Sequence, residues 1–339
     1  MDMARGREYG IWLSIALIMT LLLGACGNRT EQNGAASSSP GAAATASPTA
    51  QPGASAQPAA GATRSFTAAN GTVQVPAQPK RIVALAPNYA GYLLALGVTP
   101  VAVPAFTLGN PYLTDKLKEV TNLGDNAPTE PSLEKVLALN PDLIVAIDVL
   151  KNREQLEKIA PVVTFEATKN NRELLLALGT LTNREEQAKS WLKSWDDRIA
   201  KLKPQVQAAA AGKTISVMYP SAKGIYMFRE GYGRGTEILY GDFGLKMPEQ
   251  AAQTFEAGKG FSLVSLESLP QLAGDIIFSA PWLGDMAGAN TVYDSAVWKG
   301  LPAVKEGRSY QVDYNIFTFS DPYSWEGQLK IIVDKLGIK

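Results

Sequence analysis

Apolar residues in this chain gather in short, unbroken runs separated by mixed stretches of about helix length. Segments 81–86, 142–145, 162–165, 215–219, 225–228 and 275–278 each read as a strand. Within them, Leu143-Ile144-Val145 and Ile276-Ile277-Phe278 show no polar alternation, the pattern of strands covered on both faces by helices. Residues 89–96 carry helical spacing directly after the first strand. Strand and helix alternate in both halves, which predicts parallel or mostly parallel sheets. Between the halves, Ala188, Trp191, Leu192, Trp195, Ile199 and Leu202 recur at helical spacing. Thr182 and Glu185 fit a capping box at the start of that helix, and Pro204 is expected to stop it. At 1.5 Å per residue, a helix over 182–204 is about 33 Å long. Trp191 and Trp195 share its apolar stripe and read as core.

The two halves share an internal repeat. Residues 132–145 read SLEKVLALNPDLIV and residues 265–278 read SLESLPQLAGDIIF, with six of fourteen positions identical and no gap. Each copy predicts a short helix opening on Ser-Leu-Glu, a Pro or Gly break, and an Asp-led apolar strand. The pattern implies two similar α/β lobes, with 64–181 as the first, 182–204 as the linking helix and 205–339 as the second.

The start of the chain has a different character. Arg5 and Arg7 precede Ile11–Leu23, a run of thirteen residues without charge. A membrane-spanning helix needs about 20 such residues, so 1–25 reads as an export signal. It ends Leu23-Gly24-Ala25-Cys26, which resembles the lipobox of bacterial lipoproteins and implies acylation of the Cys26 thiol. Residues 35–62 contain only Ala, Ser, Pro, Gly, Thr and Gln and cannot bury enough apolar area to offset their ordering entropy. Residues 26–63 therefore read as a lipid anchor and tether, holding a domain at the extracytoplasmic face of a cell membrane.

Composition narrows the chemistry. The chain has no histidine and one cysteine, Cys26. Ser-His-Asp and Cys-His catalysis, HExxH zinc sites, CxxC sites and intramolecular disulfides are thereby excluded. Lys+Arg and Asp+Glu number 32 each, and residues 1–63 hold three of each sign, so the folded part is neutral too. Such a balance offers no footprint for nucleic acid.

The lobes, helix and leader together carry a resemblance. Residues 79–85 (PKRIVAL), 92–98 (YLLALGV), 131–143 (PSLEKVLALNPDL), Gly224-Ile225-Tyr226, Gly233-Arg234-Gly235 and Glu237-Ile238-Leu239-Tyr240 occur in an order that resembles the substrate-binding proteins of bacterial ABC importers. The match is to the class that carries iron-siderophores and cobalamin. The resemblance implies a class III fold, with two Rossmann-like lobes joined by one long α-helix and closing little on their ligand. It implies a receptor with no enzymatic activity and no cofactor, whose ligand is a ferric siderophore in the interlobe cleft and whose partner is a permease dimer. One glutamate per lobe, Glu134 and Glu267, is implied to dock on permease arginines; these are the two the repeat already pairs.

The glycines of Gly231-Tyr232-Gly233-Arg234-Gly235 leave the two large side chains unobstructed. Arg234 offers a planar fork of donors suited to the oxygens around a chelated ferric ion, and Tyr232 a ring to stack. Tyr89, Phe106, Tyr226, Trp282 and Phe317 fall in predicted loops or near strand ends, where α/β clefts place ligand contacts. A ferric tris-catecholate carries about three negative charges and calls for several cations. The candidate loops hold one arginine, with Arg229 and Lys223 nearby, and many aromatics. This favours a ferric hydroxamate over a catecholate. Haem is disfavoured by the absence of histidine, though Met218 or Met227 could be an axial ligand; cobalamin remains open. An extracytoplasmic enzyme on a similar scaffold is the alternative of another class, although no Gly-x-Ser-x-Gly elbow is present.

Overall fold

The computed structural model describes residues 61–167 and 169–338. The expected signal 1–25, the lipidation site Cys26 and the tether as far as residue 60 lie outside the described residues.

Strands β1 (Thr63–Ala68) and β2 (Gly71–Pro76) form an antiparallel hairpin. Strands β3 (Ile82–Ala84), β4 (Ala102–Val103), β5 (Thr121–Asn122), β6 (Leu143–Ile147) and β7 (Val162–Phe165) then build a wholly parallel sheet in the order β5-β4-β3-β6-β7. The hairpin is stitched to its edge by Asn70, which donates to the Val162 carbonyl at 2.9 Å and accepts from the Thr164 N–H at 3.0 Å.

The second sheet holds β8 (Ile215–Ser221), β9 (Gly224–Phe228), β10 (Phe261–Val264), β11 (Ile276–Ser279) and β12 (Ser309–Gln311) in the order β10-β9-β8-β11-β12. Strands β8, β11 and β12 are parallel, while β9 and β10 are antiparallel to their neighbours. The expectation of mostly parallel pairing fails for these two. Two residues, Ala222 and Lys223, separate β8 from β9, and so short a connection can only turn the chain back antiparallel. Gly224, with φ of +131°, starts the returning strand.

The central strands of both sheets are buried on both faces, as the unbroken apolar runs required. One face of each contributes to a single apolar cluster: Ile82, Ala84 and Val145 from the first lobe, Val217, Tyr219 and Phe278 from the second. The opposite faces hold separate clusters around Val83 and Ile144, and around Met218 and Ile277. A core continuous through both lobes resists prising them apart, because opening would expose apolar surface. The fold is thus two Rossmann-like α/β lobes joined by one long helix.

That helix spans Glu185–Ala210, 26 residues and about 39 Å. It differs from the expected 182–204 at both ends. Thr182 closes the preceding helix (Asn171–Thr182), and its hydroxyl donates to the Leu178 carbonyl at 2.7 Å, so no capping box forms. Asn183 turns the chain with φ of +55°. Pro204 lies inside the helix and does not end it; Val206 and Ala210 beyond it are buried and continue the stripe of Ala188, Trp195 and Ile199. Burial of that stripe overrides the proline's lost hydrogen bond.

The assignment of 205–339 as one lobe also needs correction. The last helix, Pro322–Lys335, returns to the first lobe. Its Trp325 meets Tyr92 edge-on at 6.0 Å and contacts Trp191 and Trp195 of the linking helix at 5.7 and 5.9 Å. Glu326 forms a two-pronged ion pair with Arg198. Glycine permits the approach at two places: a Cβ on Gly91 would lie 2.2 Å from Asp321 Oδ1, and one on Gly327 would lie 2.0 Å from the Tyr112 hydroxyl.

Candidate ligand-binding cleft

Strands β8 and β9 extend past the end of β11, where Ser279 pairs with Met218. On the face that belongs to the shared core, this ribbon presents Tyr219 opposite Tyr226, with Phe228 beyond. Trp282, just after β11, stacks on Tyr226 at 4.1 Å and lies nearly parallel to Phe228 at 6.1 Å. Tyr232 stacks on Phe228 at 6.0 Å and meets Phe261 at 5.7 Å. It lies flat on Gly260, where a Cβ would fall 2.0 Å from its ring. Tyr226, Tyr232 and Trp282 are therefore one continuous aromatic platform.

Arg234 sits in that platform. Its guanidinium is 4.4 Å from the Phe228 ring centre and 5.3, 5.5 and 5.7 Å from those of Tyr232, Trp282 and Tyr219. Ring faces attract a cation and replace part of its water. One Nη1 hydrogen goes to the Tyr232 carbonyl at 2.9 Å, and Nε has no acceptor among the described residues. Most of the fork is therefore uncommitted. The loop's conformation explains its glycines: Gly231, Gly233 and Gly235 have φ of +82°, +74° and +79°, and Arg234 itself has +64°. An arginine held left-handed is strained and persists because its surroundings over-determine it. The Thr236 hydroxyl donates to the Gly233 carbonyl at 2.7 Å, while the Glu237 carboxylate accepts the Gly233 N–H at 2.7 Å.

The remaining aromatic candidates divide. Phe106 is 42% exposed and leans on Phe319 at 5.0 Å, so it presents a ring from the first lobe. Tyr89 and Phe317 are corrected to core positions. Tyr89 is buried edge-on to Phe165, and its hydroxyl reaches the Ala146 carbonyl at 3.4 Å. Phe317 is fully buried, 3.0 Å beneath where a Cβ on Gly235 would lie. Met218 and Met227 are buried in the second lobe's outer cluster and offer no axial ligand to the cleft.

Glu134 and Glu267 are both exposed in the first turns of their helices, Leu133–Ala138 and the short turn Leu266–Ser268. Each helix leads antiparallel into its strand, β6 or β11, so both carboxylates lie at the carboxyl edge of their sheets. The Ser132 hydroxyl accepts the Lys135 N–H at 3.3 Å. Glu267 is held below the usual carboxylate range by its own backbone N–H and by the Ser265 hydroxyl.

Beneath the platform runs a polar seam that sequence reading missed. The Glu237 carboxylate also accepts from Asn171 Nδ2 and the Ser320 hydroxyl, each at 3.0 Å. The Ser320 N–H reaches Asn88 at 3.2 Å, and Trp325 Nε1 reaches the Ser320 hydroxyl at 3.2 Å. Asp321 accepts from Asn110 at 3.0 Å, from the Ser324 hydroxyl at 2.6 Å and from two backbone N–H groups. Burial raises the pKa of Glu237 and pushes that of Asp321 up to about 6. One signal for this region was present: Ser320-Asp321-Pro322 is a helix start, with Asp321 as N-cap and proline at the first position.

A cavity of about 400 Å³ adjoins the seam, bounded by Arg172, Trp195, Glu230 and Asp242. Its arginine is already paired, with Asp196 at 2.6 Å and Asp242 at 2.9 Å. The aromatic platform, with its uncommitted guanidinium, is the better-equipped ligand surface.

Comparison with known proteins agrees with this geometry. The family model described as periplasmic binding protein matches residues 82–315. The chain is 39% identical over 326 residues to the iron(3+)-hydroxamate-binding protein FhuD of Bacillus subtilis, covering 95% of each. Among solved structures, a periplasmic binding protein component of a ferrichrome ABC transporter from Bacillus subtilis matches with a TM-score of 0.73 and 38% identity, over 80% of this chain and 99% of that one. FhuD2 of Staphylococcus aureus with bound ferrioxamine B matches with a TM-score of 0.69 and 33% identity, over 76% and 98%.

Proposed function

This chain belongs to the periplasmic binding protein family, and from that premise we propose that it is an extracytoplasmic receptor that binds a ferric hydroxamate siderophore in its interlobe cleft and hands it to an ABC importer. The observation that carries the ligand class is the lone guanidinium of Arg234 set among Phe228, Tyr232, Trp282 and Tyr219. A ferric trihydroxamate is neutral at the metal and largely apolar outside. It calls for aromatic walls and a small number of donors to its oxygens. A triply charged catecholate would need more cations than this platform holds. The 39% identical relative is named for iron(3+)-hydroxamate and two of the similar structures for ferrichrome and ferrioxamine B, while more distant ones are named for staphyloferrin B or enterobactin.

Tyr226, Tyr232 and Trp282 form the second-lobe wall, Arg234 the polar anchor, and Phe106 the facing ring. Glu134 and Glu267 dock on arginines of the permease, where a carboxylate can accept two parallel N–H bonds. Acylated Cys26 keeps the receptor at the membrane, and the low-complexity segment that follows tethers it there.

Tryptophan-fluorescence titration tests the reading. A ferric trihydroxamate is expected to quench and to bind more tightly than a ferric tris-catecholate. Arg234→Ala should weaken hydroxamate binding tenfold or more, because charge-assisted hydrogen bonds contribute about 1.5–3 kcal/mol. Tighter binding of the catecholate, or an unchanged titration with the variant, would overturn it.

A further inference from the structure

A single oxygen of Glu237 gathers three donors from three separate parts of the chain. Oε1 accepts the N–H of Gly233 at 2.7 Å, Asn171 Nδ2 at 3.0 Å and the Ser320 hydroxyl at 3.0 Å. Gly233 is inside the loop that carries Tyr232 and Arg234. Asn171 opens the helix Asn171–Thr182 of the first lobe. Ser320 lies on the segment returning to that lobe and is tied by its own N–H to Asn88.

We infer that Glu237 is a positioning residue for ligand binding, fixing the left-handed Gly233–Arg234 backbone against the first lobe and thereby setting where the Arg234 guanidinium is presented. The inference rests on the reading of the cleft given above. Its physical basis is the loop's strain. Arg234 carries that strain, with φ of +64°, and a chain in that state relaxes unless the neighbouring peptide groups are held. The Gly233 N–H is held by Glu237, and its carbonyl by the Thr236 hydroxyl. The Thr236 bond is local to the loop. The Glu237 bond is the one that continues to Asn171 and Ser320, so it registers the loop on the opposite lobe. A carboxylate suits this place because three donors converge on one atom and its negative charge strengthens each bond; a neutral amide oxygen holds them less well.

The test measures affinity for ferrioxamine B by tryptophan quenching in a double-mutant cycle, with thermal unfolding as a check on folding. Glu237→Ala should weaken binding about tenfold. Glu237→Gln, which keeps an acceptor oxygen in place, should recover most of that loss. If Glu237 acts through Arg234, adding Glu237→Ala to Arg234→Ala should cost less than threefold more. Asn171→Ala removes the first-lobe contact alone and serves if Glu237→Ala fails to fold; its expected loss is two- to fivefold, again absent in the Arg234→Ala background. Losses that add fully to that of Arg234→Ala, or unchanged affinity in both Glu237→Ala and Asn171→Ala, would overturn the positioning role and leave the cleft reading intact. An Arg234→Ala variant that binds like the native protein would overturn both.

Discussion

Replacing Asp321 with asparagine should remove a pH dependence from the stability of this fold. The native carboxyl is completely buried at the N-cap of the last helix, against Gly91 of the first lobe. Four donors favour its charged form, from Asn110, the Ser324 hydroxyl and the backbone N–H groups of Tyr323 and Ser324. Burial favours the neutral form and outweighs them, raising the pKa from 3.8 to about 6. The folded state therefore holds this proton more tightly than the unfolded chain does. The contribution of Asp321 to stability is greatest below pH ~4, declines as pH rises between about 4 and 6, and is level above that. At about 1.4 kcal/mol per tenfold change in proton affinity, the decline is about 3 kcal/mol. Glu237 acts in the same direction but is present in both proteins, so it cancels from the difference between them. Urea unfolding followed by tryptophan fluorescence at pH 4 and pH 7 gives that difference directly. The stability advantage of native over Asp321→Asn should shrink by about 2 kcal/mol on going from pH 4 to pH 7. An advantage that stays constant or grows would mean the four hydrogen bonds win over burial, and would refute the reasoning.

Further expectations concern docking and packing. Reversing charge at both Glu134 and Glu267 should abolish siderophore uptake by cells while leaving the affinity of the purified protein unchanged; normal uptake would remove the docking role. Gly91→Ala places a Cβ 2.2 Å from Asp321 Oδ1 and should cost roughly 1–3 kcal/mol, seen as a fall in Tm. An unaltered Tm would contradict the close approach of the two helices. Pro204→Ala should raise Tm, since it restores an N–H to the middle of a regular helix; a lower Tm would mean the linking helix depends on its proline.

The layered lobes were legible because their strands are apolar without interruption, and 143–145 or 276–278 can hardly be anything but strands covered on both sides. The loop carrying Tyr232 and Arg234 was legible because its glycines announce positive φ. Local rules misled where tertiary burial was stronger. Pro204 reads as a helix stop, but Val206 and Ala210 have core to enter beyond it. Thr182 and Glu185 have capping-box spacing, but Thr182 is already spent on the helix before. Tyr89 and Phe317 sit in loop-like positions suited to ligand contact and are nevertheless packed inside, since an aromatic near a strand end can turn inward as readily as outward. The polar seam was illegible for a different reason. Asn110 and Asp321 are 211 residues apart, and Asn171 and Ser320 are 149 apart. No spacing rule reaches that far, and asparagines and serines carry no periodic signature.

The return of the last helix to the first lobe has a consequence for the order of assembly. Residues 64–181 emerge first in synthesis, but Tyr92, Trp191 and Trp195 lack their cover until Trp325 arrives. The lobe that begins first is thus finished last, and a chain cut anywhere before Pro322 leaves it with an open apolar flank.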